Sequence, residues 1–68
     1  MKNWDKIYST KSLAKASIIK GLLEENEVPV QILNKQDNNF PMWGDIEVYV
    51  PAHLNITATQ LIEKALLN

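Results

Sequence analysis

Two periods of apolar residues run along the chain and divide it into five elements. The segment Trp4 to Ser9 holds Trp4, Ile7 and Tyr8, residue types that suit a pleated surface, and reads as a strand with Ile7 on one face and Trp4, Lys6 and Tyr8 on the other. A helical period follows from about Lys11 to Asn26. Leu13, Ala16, Ile19 and Leu23 recur at three- and four-residue spacing, Leu22 widens the stripe, and Ser9 or Thr10 is placed to cap it. Gly21 falls on the opposite side of that helix. Val28-Pro29 returns the chain to an extended conformation, and Val28 to Asn34 reads as a second strand with Val28, Val30 and Ile32 inward and Gln31 and Leu33 outward. Pro29 cannot donate to a ladder, so this strand belongs at an edge. Asp45 to Val50 alternates cleanly, with Ile46, Val48 and Val50 inward and Glu47 and Tyr49 outward. Pro51 ends it. A second helix from Ala52 or His53 to Leu67 carries Leu54, Ala58, Leu61, Ile62, Ala65 and Leu66 on its apolar stripe.

The order β-α-β-β-α predicts an α+β fold: a two-layer, ferredoxin-like sandwich with a three-stranded sheet and two helices on one face. Strands joined through a helix run parallel by a right-handed crossover, and the third strand pairs antiparallel between them. This arrangement leaves Trp4, Tyr8, Leu33 and Tyr49 on an uncovered sheet face, where three aromatics and a leucine call for a covering partner. The connector from Lys35 to Gly44 is long for a hairpin and ends in Phe40, Pro41, Met42 and Trp43. Those rings either contact a ligand or partner or plug one end of the small core.

Composition narrows the chemistry. The 68 residues form one domain, 1–68, with 46 % hydrophobic and 22 % charged residues, as in globular chains. All seven basic residues are lysine, eight acids oppose them, and the net charge is -1. That balance argues against nucleic-acid and anionic-membrane binding, which need concentrated positive charge. Without cysteine there is no disulfide, thiolate metal site or thiol nucleophile. His53, the single histidine, has no cluster of ligands around it, so no metal site is expected. Glu24, Glu25 and Glu27 read as a solvated helix end, and Asp45 and Glu47 as ordinary surface charges. No base–nucleophile pair can be assembled, no glycine-rich phosphate cradle exists, and the reading is of a non-enzyme without a cofactor. The N-terminal segment lacks the apolar run of a signal peptide, and the expectation is a cytoplasmic protein.

Several segments together carry a resemblance. Trp4-Asp5-Lys6-Ile7-Tyr8-Ser9-Thr10, Ala16, Ile19-Lys20-Gly21-Leu22-Leu23-Glu24-Glu25-Asn26 running into Val28-Pro29, Leu33-Asn34-Lys35, and Ile46-Glu47-Val48-Tyr49-Val50-Pro51 are similar to the short bacterial family of putative prokaryotic signal transducing proteins. The resemblance covers nearly the whole chain, and its motifs are structural rather than catalytic. It implies a ferredoxin-like domain related in shape to the PII nitrogen-signalling proteins. The family commonly places glycine before the Ile-Pro step, where this chain has Glu27. A left-handed Glu27 stores ~1 kcal/mol of strain, unless Asn26 takes that conformation instead. Together these readings predict an interaction or regulatory module, a homodimer or the binder of an unidentified protein. It would bury Trp4, Tyr8, Leu33 and Tyr49 and tune specificity with Phe40, Met42 and Trp43. The alternative is a small-molecule sensor with its ligand between the 35–44 loop and the sheet.

Overall fold

The computed structural model describes residues 2–66. Helix α1 spans Leu13–Glu25 and buries Ala16, Ile19 and Leu23, the core of the stripe read from the sequence. Its cap is Ser12, not Ser9 or Thr10: the Ser12 hydroxyl accepts from the Lys15 amide at 3.1 Å. Thr10 plays a different part, its hydroxyl accepting from the Ser12 amide at 3.0 Å. Leu13 is the first helical residue and remains exposed, because the buried stripe begins one turn later at Ala16.

The far end of α1 is closed by a left-handed residue, and that residue is Glu27, with φ 63°. Asn26 stays at φ -98°. The Glu27 amide donates to the Glu24 carbonyl at 3.0 Å and the Val28 amide to the Leu23 carbonyl at 2.9 Å. These two bonds define a Schellman ending, accompanied by its usual apolar contact position: Leu23 and Val28 are both buried. The device satisfies carbonyls that a helix end leaves open and turns the chain toward the sheet.

The sheet has the order β1-β3-β2, where β1 is Trp4–Thr10, β2 is Gln31–Asn34 and β3 is Ile46–Pro51. Both outer strands pair antiparallel with β3, which makes them parallel to each other, as the connectivity predicts. β2 is shorter than expected from the apolar run. Val28 and Val30 lie outside the ladder yet are buried, since Val28 serves the helix ending and Pro29 has no amide to donate. Ile46, Val48 and Val50 are fully buried on the central strand beneath the helices. A short 3-10 turn, Ala52–Leu54, leads into helix α2, Asn55–Leu66, which buries Ala58 and Ile62. Leu54 and Leu61 are half-buried against the core. Ala65 and Leu66 are exposed, contrary to the predicted stripe, and Leu67, the expected helix end, lies outside the described residues.

One irregularity in β1 overturns a sequence expectation. The register runs Asp5 with Val50, Lys6 with Tyr49, then Tyr8 with Val48, so Ile7 is an extra residue in the ladder. Directly opposed residues of an antiparallel pair share a face. Tyr8 therefore shares the face of the fully buried Val48, and both Ile7 and Tyr8 pack against the core. A strict two-residue alternation places Tyr8 with Trp4 on the open face; the bulge shifts the phase by one and turns it toward α2. Asp5 also points to the helix layer, where its carboxylate accepts from Asn55 Nδ2 at 2.8 Å and ties β1 to the start of α2.

Candidate functional site

The 35–44 connector is a folded extension of the β2–β3 hairpin. The Lys35 amide donates to the Asp45 carbonyl at 2.9 Å and the Asp37 amide to the Trp43 carbonyl at 3.1 Å, continuing the pairing beyond the strands. At the tip, Asp37 Oδ1 accepts from the amides of Asn39 at 2.7 Å and Phe40 at 2.9 Å, and the Trp43 amide closes on the Phe40 carbonyl at 2.8 Å. This use of an aspartate to organise a tight turn is ordinary local chemistry for that side chain. Gly44 sits at φ 99°, and a Cβ there would lie 2.2 Å from the Lys35 carbonyl oxygen, so the close approach of the two limbs requires glycine.

A second set of bonds fixes the loop to the β1–α1 junction. Lys11 Nζ donates to the Met42 carbonyl at 2.9 Å, the Gly44 carbonyl at 3.3 Å and Asp45 Oδ1 at 3.0 Å. Gln36 Nε2 answers by donating to the Lys11 carbonyl at 2.9 Å. Lys11 and Ser9 both bond the Asp45 carboxylate, and the Lys11 hydrogen bond is the main reason that its pKa lies below the ordinary range.

The consequence is an apolar tip presented to solvent. The rings of Phe40 and Trp43 stack at 4.5 Å with an interplanar angle of 23°. Phe40 is nevertheless 46 % exposed, Trp43 61 % and Met42 65 %. Neither ring plugs the core, so of the two roles open to them in the sequence the packing role is excluded.

The open sheet face differs from its expected character. Among the described residues no aromatic cluster forms there: Tyr8 is on the other side, while Trp4 and Tyr49 are half-buried and Leu33 exposed. Its centre is Glu47, only 7 % exposed. Lys6 Nζ, from β1, and Lys35 Nζ, from the first residue after β2, each lie 3.3 Å from its carboxylate, and the Tyr49 hydroxyl donates to it at 2.9 Å. The Tyr49 hydrogen bond leads the causes that hold the Glu47 pKa below the ordinary glutamate range, with both lysines adding to it and desolvation opposing. The same bond raises the Tyr49 phenol. Glu47 is thus not the ordinary surface charge that alternation alone suggests. Its two lysines lie diagonally from it, on β1 and just past the end of β2, a neighbourhood that becomes visible only when the register is known.

His53 is exposed in the 3-10 turn. Among the described residues no group of three or more histidines and carboxylates is placed to hold a metal ion. No described helix is long and apolar enough to cross a membrane.

By its element order, its three-stranded antiparallel sheet and its single helix layer, the molecule is a small α+β domain of ferredoxin-like topology. Residues 4–65 match the family described as putative prokaryotic signal transducing protein, and the chain belongs to that family. No curated protein and no solved structure matches it.

Proposed function

We propose that the chain is a non-enzymatic regulatory module whose working surface is the tip of the 35–44 loop, and that the surface docks a second copy of the chain. The carrying observation is that Phe40, Met42 and Trp43 are held outward by a loop bonded on both limbs. A fixed loop loses little freedom on binding, so more of the gain from apolar burial is kept. Burying a fully exposed Phe or Met side chain contributes roughly 1.5–3 kcal/mol before association costs, and Phe40 at 46 % and Met42 at 65 % exposed each supply a corresponding fraction of it. The family's signal-transducing description supports a regulatory role. The rival reading is a ligand held between this loop and the sheet; the cleft lined by Ile7, Tyr8 and α2 lies apart from that position.

Size-exclusion chromatography with light scattering tests this on the wild type and on Trp43→Lys. The expected result is a wild-type dimer and a folded, monomeric variant. A wild-type monomer, or a dimer indifferent to the lysine, overturns the proposal.

A further inference from the structure

The bulge in β1 does more than change the phase of a strand. By turning two consecutive side chains, Ile7 and Tyr8, to the same side, it opens a cleft of about 260 Å³ between β1 and the C-terminal half of α2. Thr59, Ile62, Glu63 and Leu66 complete the walls. The volume lies just below the ~300 Å³ at which drug-sized sites begin, which suits a fragment-sized molecule. Bulges of this kind commonly re-aim a side chain beside a functional site.

The polar groups of the cleft set the chemistry of its occupant. Among the described residues Glu63 is the one charged side chain in the lining; it is exposed and takes part in none of their ion pairs. The Thr59 hydroxyl commits its proton to Asn55 Oδ1 at 3.2 Å, so toward a ligand it acts as an acceptor. The Tyr8 phenol can donate or accept, whereas an ionised Glu63 only accepts. An apolar body would lie against Ile7, Ile62, Leu66 and the Tyr8 ring, with a cationic donor at Glu63.

We infer that this cleft is a binding site for a small primary amine with a short apolar or aromatic body. The site shares no residue with the loop tip and stands independently of the docking proposal. Backbone amide NMR of the full chain, titrated with 2-phenylethylamine and separately with 3-phenylpropionate, tests it at low and moderate salt. The amine should give saturable shifts centred on Ile7, Tyr8, Thr59, Ile62 and Glu63. The acid should bind about tenfold more weakly, with the difference shrinking as salt rises. Glu63→Gln should weaken the amine by up to about fivefold while leaving the remaining spectrum native, as expected for one exposed ion pair. Equal binding of amine and acid, an unaltered amine affinity in Glu63→Gln, or shifts that do not saturate or lie elsewhere would each overturn the assignment.

Discussion

Glu27→Gly should stabilise this domain, and the size of the gain follows from one backbone angle. Glu27 holds φ 63° at the end of α1, a conformation that costs a residue with a Cβ roughly 1–2 kcal/mol. Glycine removes that cost but gives the unfolded chain more freedom, which returns about 0.4–1 kcal/mol. The net expectation is a gain of ~0.5–1 kcal/mol, or a rise in Tm of ~3–7 °C for a domain of this size. A second explanation for any gain must be separated from the first. Glu24, Glu25 and Glu27 crowd the negative end of the helix dipole, so removing a charge also helps. Glu27→Ala removes the charge and keeps the Cβ. Thermal and urea unfolding followed by circular dichroism should show a clear gain for glycine and a smaller one for alanine. Equal gains would assign the effect to charge, and no gain for glycine would refute the strain argument.

Three further outcomes follow from the same structure. Gly21 lies in an exposed helix interior, and a methyl group placed on its Cα would have nothing within 4 Å, so Gly21→Ala should add ~0.5–1 kcal/mol in urea unfolding. Gly44→Ala should do the reverse, costing more than ~1 kcal/mol in the same assay, because its φ is 99° and its Cβ would meet the Lys35 carbonyl. Glu47 has a folded-state pKa below its unfolded one, so in acid the unfolded chain takes up its proton first. Stability that is fully present above the ordinary glutamate pKa of ~4.3 should therefore fall as pH drops through and below it, and Glu47→Gln should flatten that slope in unfolding measurements from about pH 7 to about pH 3.

The architecture is legible in the sequence because its signals are local and repeated. Ile46, Val48 and Val50 alternate without interruption, and they lie buried on the central strand. Ala16, Ile19 and Leu23 recur at helical spacing and form the buried side of α1. Tyr8 defeats the same reasoning because a bulge is a single inserted residue with no local signature: Trp4-Asp5-Lys6-Ile7-Tyr8 reads as a regular strand until its pairing with β3 is known. The same lack of register hides Glu47, whose two lysines come from β1 and from the residue following β2. The loop is visible as long and apolar-tipped, but its fixation by Lys11 is not, since that lysine is separated from Met42 by 31 positions. Ser12 escapes notice as a cap for a simpler reason: Ser9, Thr10 and Ser12 all offer a hydroxyl near the helix start, and only the backbone angles choose among them.

The outward-held loop tip is the centre of the functional account, and Trp43 reports on it directly. In a Trp4→Phe chain, Trp43 is the only tryptophan, and its emission can be followed across a dilution series. Docking of the tip against a second copy predicts blue-shifted emission at high concentration, moving to the red as the chain is diluted. Emission typical of a solvent-exposed indole at every concentration would contradict it.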